Sequence, residues 1–282
     1  MTSPRGSAPA VRSAFTLVEL LVVISIIGIL AALIIGAASS AIVRAGNLHC
    51  QNNLRQIALA VRTYCGQNEG VIPPVKLARS GLYWCNLLVA GKYIPDASTD
   101  TLPDGEKTKQ DSLFLCPQST DDVVIENDEI TAPDSPKAQG WYRVGVKTGN
   151  KPITTDCSYY WNGYTGTTAE KIARYPSLVI NEAAADRMKY IHELGEIKKA
   201  SLLIMLADGV FFDGDSKPAR IAARHRGEQG PLSLTNVVYY DGHTESIERT
   251  RDPQGDTWMT DPIMKRSPNL EGGPPFFMLP KR

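Results

Sequence analysis

The stretch that decides the fold is residues 15–33, which read FTLVELLVVISIIGILAAL. No charged residue occurs from Leu20 to Val43. At about 1.5 Å of rise per residue, a helix over this run is about 36 Å long, enough to cross a hydrocarbon core of about 30 Å. The run therefore predicts one membrane-spanning helix. Glu19 lies at its start, and a carboxylate at membrane depth is costly in free energy unless it has a partner.

Two other kinds of segment share this hydropathy. A secretory signal has an apolar region of about 7–15 residues and a small-residue cleavage site. The run here is longer, although residues 38–41, Ala-Ser-Ser-Ala, could serve as such a site. An uncleaved signal anchor would show the same apolar run, but it has no use for Glu19. We therefore favour a segment in which this carboxylate has a function.

The residues around Glu19 carry a family resemblance. Residues 14–20, Ala-Phe-Thr-Leu-Val-Glu-Leu, resemble the cleavage and methylation motif of type IV prepilins and type II secretion pseudopilins. The resemblance implies that a prepilin peptidase cuts between Ala14 and Phe15 and methylates the new amino terminus. Most members have Gly before the cut, where this chain has Ala14. It also implies that Glu19, the fifth mature residue, pairs with the methylated amine of a neighbouring subunit.

The same resemblance predicts the domain organisation. Residues 1–14 are a leader that is removed, residues 15–43 are the transmembrane and assembly half of a long helix, and residues 44–282 form an extracytoplasmic domain. The implied location is the inner membrane, crossed once, with the carboxyl-terminal part in the periplasm and possible extraction into a filament. The charges flanking the span do not decide this topology, because Arg residues occur on both sides.

Apolar residues at helical spacing continue beyond the span, so we expect one helix from about Phe15 to about Gln67. Gly66, Gly70 and the pair Pro73-Pro74 predict its end. The helical residues that form the predicted stripe are Leu54, Ile57, Val61 and Tyr64.

A second resemblance concerns residues in and beyond this helix. Residues 50–57 resemble the Cys-x-Asn-Asn-Leu-x-Gln-Ile run of a prepilin-like subgroup whose domain closes with a His, a nine-residue spacer and Asp-Gly. The matching residues are Cys50, Asn52, Asn53, Leu54, His225, Asn236, Asp241 and Gly242. The spacer here is residues 226–240, which is longer than nine, so this loop contains an insertion.

The fold class predicted for the domain is α+β, with the long helix packed on an antiparallel sheet and connected by long loops. Residues 236–240 followed by Asp241-Gly242 predict a hairpin with a two-residue turn. A compact apolar run ends at Leu206 and predicts another strand. Residues 75–149 give little periodicity, and residues 96–110 and 119–137 are interpreted as exposed loops.

His225 and Asp241 are the candidates for a base and its orienting acid. No nucleophile motif such as GxSxG accompanies them, so we favour a structural interpretation in which Asp241-Gly242 forms a turn and His225 hydrogen-bonds a neighbouring loop. Asp208, Asp213 and Asp215 are calcium candidates, since calcium takes oxygen ligands and the resemblance implies a site like the one in the carboxyl-terminal loop of major pseudopilins. Turn chemistry alone also explains these acids, and no cofactor is expected.

Five cysteines lie in a compartment that permits disulfides if the topology is as implied. Cys50 and Cys65 on one helix would be about 22 Å apart and cannot bridge each other. Any bridge would use Cys85, Cys116 or Cys157, and buried free thiols are an equal alternative. The absence of CxxC and of metal-like Cys/His spacing argues against a zinc site.

The charges balance, with 30 basic and 30 acidic residues, so nucleic acid is not an expected partner. The resemblance implies a structural subunit rather than an enzyme, with the prepilin peptidase, other pilin subunits and inner-membrane lipid as partners. A membrane-tethered binding module that presents Trp84, Trp141, Trp161 and Tyr side chains to a ligand is the alternative. A hydrolase that uses His225 is the third hypothesis.

Overall fold

The structure, a computed structural model, describes residues 16–95, 112–124, 136–148, 151–163, 176–185, 191–210, 221–227 and 230–248. The chain forms two compact units, Met1–Arg44 and Ala45–Arg282. The leader, Phe15 and the carboxyl-terminal tail lie outside the described residues.

The first element, helix α1, runs from Leu17 to Gln67 and confirms the single long helix expected from the sequence. Residues Leu17–Ile35 within it are long and apolar enough to cross a membrane, and none of this apolar window is buried in the structure. Beyond Gln67 the chain turns at Gly70, whose φ is +86°, and the Gly70 N–H donates to the Cys65 carbonyl at 2.8 Å. The Asn68 N–H also donates to this carbonyl, at 3.2 Å, so two bonds satisfy a group at the helix end.

In the second unit, α1 buries one face and exposes the other. Its buried residues recur every three or four positions, which is the spacing of one helical face. They are Cys50, Leu54, Ile57, Val61 and Cys65. Arg55 and Leu59 on the other side are exposed. This buried face packs in one core with side chains from the strands, including Trp161, Leu206 and Val238.

The largest sheet is antiparallel and contains the residues that the sequence predicted as strands. Its strands are β5 (Tyr159–Trp161), β7 (Ile204–Asp208), β8 (His225–Gly227), β9 (Gly230–Tyr239) and β10 (Thr244–Glu248). Their hydrogen-bonded order is β10, β9, β7, β5, with β8 also paired to β9. The α+β prediction is therefore confirmed.

The middle of the chain is more ordered than its sequence indicated. The remaining elements are β1 (Lys76–Leu77), α2 (Trp84–Ala90), β2 (Val123–Val124), α3 (Pro136–Gln139), β3 (Trp141–Thr148), β4 (Lys151–Cys157), β6 (Val179–Ile180) and a 3-10 helix, Leu194–Glu196. β2, β3 and β4 form a second sheet, and β1 pairs with β6. The loop prediction for residues 119–137 was wrong at β2 and at the start of α3.

The β3–β4 hairpin escaped prediction because charged residues interrupt its apolar pattern. Arg143 lies opposite Asp156 in the register, and the guanidinium Nε donates to the Asp156 carboxylate at 2.6 Å. The Asp156 side chain is buried. A cross-strand ion pair therefore occupies a position at which sequence reasoning expects an apolar residue.

Trp84, Trp141 and Trp161 do not form a ligand surface. All three side chains are completely buried, and the Trp84 and Trp161 rings stack with centroids 4.7 Å apart. The proposal that they are displayed to a ligand was wrong, because their area is already used in the core.

The β9–β10 turn confirms the predicted hairpin but not its two-residue loop. The Tyr239 N–H donates to the His243 carbonyl at 3.0 Å, so three residues, Tyr240 to Gly242, form the loop. Gly242 has φ of +93°, as expected for the left-handed third position of such a loop.

Replacing Gly242 by Ala is expected to lower the free energy of unfolding by about 1–2 kcal/mol, because a Cβ strains a left-handed backbone. Urea unfolding of the detergent-solubilised protein, followed by tryptophan fluorescence, measures the change. Gly195→Ala is the control, since a Cβ there meets nothing within 4 Å. An equal loss in both variants would contradict this explanation.

Candidate functional site

The start of α1 is held by a reciprocal hydrogen-bond pair between Thr16 and Glu19. The Thr16 N–H and hydroxyl donate to Glu19 Oε2 at 2.9 and 2.7 Å. The Glu19 N–H in turn approaches Thr16 Oγ1 at 3.2 Å. This is a capping box, which satisfies two helix-end groups at once. Sequence reasoning missed Thr16, although the Thr-x-x-Glu spacing is its signal.

A second constellation lies in the interior of the second unit. Cys50 comes from α1, Cys116 from the turn before β2, Asp208 from the end of β7 and His225 from the start of β8. All four side chains are buried, and their possible ligand atoms lie within 4.8 Å of one another. Four distant segments of sequence therefore meet at one point.

Cys50 and Cys116 form a disulfide whose Cα atoms are 5.1 Å apart, within the usual range. The bridge closes a loop over a sequence separation of 66. In the chain-entropy model, closing such a loop stabilises the folded state by about 4 kcal/mol. Cys65, Cys85 and Cys157 are buried free thiols, so both alternatives left open by the sequence occur in this chain.

Polar side chains fix the position of each sulfur. The Asn53 amide donates to the Leu115 carbonyl at 3.0 Å, and the Cys116 N–H donates to the Ser158 hydroxyl at 2.7 Å. The Tyr159 hydroxyl lies 3.3 Å from Cys50 Sγ. Burial raises the pKa of Tyr159 well above its usual value, and the nearby Asp208 charge adds to this effect. The Tyr159 hydroxyl therefore stays protonated.

Asp208 lies at the centre of this constellation. Its Oδ2 accepts a hydrogen bond from the Asn236 N–H at 2.7 Å and lies 3.1 Å from His225 Nε2. Its Oδ1 is 3.3 Å from Cys50 Sγ. Asp208 thus pairs with the signature residues Asn236 and His225, a relationship that the sequence did not reveal.

Arg224 supplies the nearby positive charge. Its guanidinium is buried and donates to the carbonyls of Ser158, Gly140, Ala138 and Gly209, the bond to Gly140 being 2.7 Å long. Burial lowers the pKa of Arg224, while the Asp208 charge opposes that shift. The Arg224 guanidinium thus connects the end of α3, the junction between β4 and β5, and the residue after β7. Sequence reasoning assigned Arg224 no role.

The structure separates His225 from Asp241, the pairing considered from the sequence. The Asp241 carboxylate instead contacts His243 Nδ1 at 2.6 Å, and its carbonyl accepts a bond from Arg62 at 2.6 Å. Asp241-Gly242 therefore serves as a turn, as the structural interpretation stated, but His225 bonds a strand-end carboxylate rather than a loop.

A hydrolytic relay does not fit the geometry. Such a relay places the nucleophile and the orienting acid on opposite ring nitrogens of the His. Here Cys116 Sγ at 3.7 Å and Asp208 Oδ2 at 3.1 Å both lie beside His225 Nε2.

The other residues of the subgroup signature lie at separate positions in the structure. Asn52 is exposed, Leu54 is in the core, and the Asn236 amide donates to Asn47 Oδ1 at 2.7 Å. Asp213 and Asp215 lie outside the described residues, so the calcium prediction rests on the sequence alone. Ala14 and Phe15 also lie outside them.

Comparison with protein families gives one relevant result. Residues 10–35 match the model described as the prokaryotic N-terminal methylation motif. The match supports a type IV pilin-like protein. It includes Ala14, Phe15, Thr16 and Glu19, and therefore the capping box at the start of α1. Comparison with curated proteins and with solved structures finds no match for the chain.

The pilin-like motif and the apolar helix Leu17–Ile35 are together consistent with membrane anchoring. The match ends at residue 35, so it does not extend to Cys50 or the residues around it.

Proposed function

We propose that this chain is a structural subunit of a type IV pilus or of a type II secretion pseudopilus. The prepilin peptidase removes residues 1–14 and methylates Phe15. The apolar half of α1 then holds the subunit in the inner membrane, with residues 44–282 in the periplasm, until it enters a filament. The observation that carries the proposal is the methylation motif over residues 10–35.

The capping box supports the role of Glu19 in this proposal. Its carboxylate accepts two hydrogen bonds from Thr16 and is exposed at the end of the helix. Within a bilayer, such a carboxylate is stabilised further by a cation. The methylated amine of a neighbouring subunit provides that cation and sets the register between adjacent helices.

The expected processing is measured by mass spectrometry of the protein from cells with and without the peptidase. With the peptidase, the amino-terminal peptide should begin at Phe15 and carry one methyl group. Without it, the peptide should retain residues 1–14. A Phe15→Ala variant tests whether processing depends on the residue that follows the cut. Ser25→Ala, in the same helix, is the control. An intact leader in cells with an active peptidase, or another first residue, would disprove the proposal.

A further inference from the structure

The buried constellation of Cys50, Cys116, Asp208 and His225 contains the ligand types of a transition-metal site. We propose that, when Cys50 and Cys116 are thiols, these four side chains bind one Zn²⁺ ion. The ligand atoms are both Sγ atoms, an Asp208 carboxylate oxygen and His225 Nε2. The inference goes beyond the proposed assembly role and does not depend on processing or filament formation.

Three contacts within the constellation are close to the spacing of ligand atoms in a tetrahedral site. With Zn–S bonds of about 2.3 Å and Zn–N or Zn–O bonds of about 2.0 Å, neighbouring ligand atoms are about 3.3–3.8 Å apart. His225 Nε2 is 3.1 Å from Asp208 Oδ2, and Cys50 Sγ is 3.3 Å from Asp208 Oδ1. Cys116 Sγ is 3.7 Å from His225 Nε2. To give the coordination geometry, the two bonded sulfurs must separate and the Asp208 carboxylate must turn so that one oxygen faces both Cys50 and His225.

The surroundings also suit a dication. Two thiolates and the Asp208 carboxylate carry three negative charges, which Zn²⁺ and the buried Arg224 guanidinium together neutralise. The Asn236 N–H already orients Asp208, and the Tyr159 hydroxyl lies where it can donate to the Cys50 thiolate. Such contacts around metal ligands orient them and tune their affinity.

Zn²⁺ binding and the disulfide are alternative states of the same two sulfurs. A newly made chain has both cysteines as thiols, and binding releases their two protons. For His225 to bind through Nε2, its ring proton has to be on Nδ1, which has no hydrogen-bond partner among the described residues. A disulfide oxidant would take two electrons from the thiolates and two protons from solvent and leave as two thiols. This exchange forms the Cys50–Cys116 bond and releases Zn²⁺.

The test uses the full-length protein in detergent, with one sample kept oxidised and one reduced by a phosphine without oxygen. Co²⁺ is added as the probe, because tetrahedral cobalt–thiolate sites absorb visible and near-ultraviolet light characteristically. We expect the reduced protein to bind one Co²⁺ per chain, which one Zn²⁺ displaces, and the oxidised protein to bind none. Tryptophan fluorescence confirms that both samples remain folded.

Two variants decide which thiols bind the metal. Cys116→Ser should lower the Zn²⁺ affinity at least about 10-fold and remove the tetrahedral cobalt spectrum. Cys65→Ser is the matched control, since Cys65 is also a buried thiol but is not in the cluster. A reduced, folded wild-type protein that gives no tetrahedral cobalt spectrum would overturn the proposal even if a variant failed to fold. A spectrum unchanged by Cys116→Ser, or lost in Cys65→Ser alone, would also overturn it.

Discussion

Replacing Glu19 by Ala is expected to abolish filament incorporation while the protein stays in the membrane. In the proposed filament this carboxylate pairs with a neighbouring amine at membrane depth, and breaking a buried ion pair costs about 3–5 kcal/mol. At the lower limit this reduces association by a factor of about 100 per contact. The apolar residues Leu17–Ile35 are unchanged, so membrane insertion should persist. Fractionation and filament counting in cells measure the two outcomes separately.

Thr16→Val distinguishes assembly from helix capping. That change removes the hydroxyl that bonds Glu19 at 2.7 Å but keeps the carboxylate. Loss of a cap costs about 1 kcal/mol, so assembly should fall only modestly. If Thr16→Val stopped assembly as completely as Glu19→Ala, the carboxylate would be acting through the cap. Normal assembly of Glu19→Ala would exclude the ion pair.

Arg224→Met is expected to cause a large loss of stability in the second unit. The substitution leaves several buried carbonyls without their donor and Asp208 without the nearby positive charge. Leaving one buried polar group unsatisfied costs about 1–3 kcal/mol, and several carbonyls lose their donor in this variant. Thermal or urea unfolding of the detergent-solubilised protein, followed by fluorescence of the buried Trp residues, measures this loss.

Arg226→Met provides the matched control for this change. Arg226 lies two residues further along, on the exposed side of β8. A surface substitution of this kind changes stability by about 0.5 kcal/mol or less. Similar losses in the two variants would show that Arg224 acts through local β8 structure rather than through its buried bonds.

The sequence predicted the parts of the fold that depend on local patterns. α1 follows from a continuous apolar run and a 3.6-residue stripe, and the β9–β10 hairpin follows from Asp241-Gly242. The hairpin loop was one residue longer than predicted because Tyr240 also belongs to it. The β3–β4 hairpin was missed because Arg143 and the buried Asp156 interrupt the apolar pattern, and charged residues in a sequence indicate a loop.

The buried constellation depends on contacts that linear spacing does not show. β8 pairs with β9 so that His225 lies opposite Leu234. From Leu234, β9 runs five more residues to Tyr239, about 17 Å at the rise of an extended strand, before the turn that contains Asp241. His225 therefore cannot reach Asp241 and meets Asp208 on β7 instead, a neighbour that only the strand order reveals. The proposed zinc site was missed for the same reason. The spacing of Cys and His along the sequence argued against it, whereas its four residues come from separate segments.

The Cys50–Cys116 bridge also affects how the subunit would respond to mechanical load. A pull along α1 reaches Cys50 and passes through a covalent bond directly to Cys116. The chain between them, with a sequence separation of 66, is then excluded from stretching. At about 3.5 Å per residue, about 230 Å of contour length stays hidden while the bond is intact. Reduction would release that length, so the extensibility of this domain under force depends on the redox state of its surroundings.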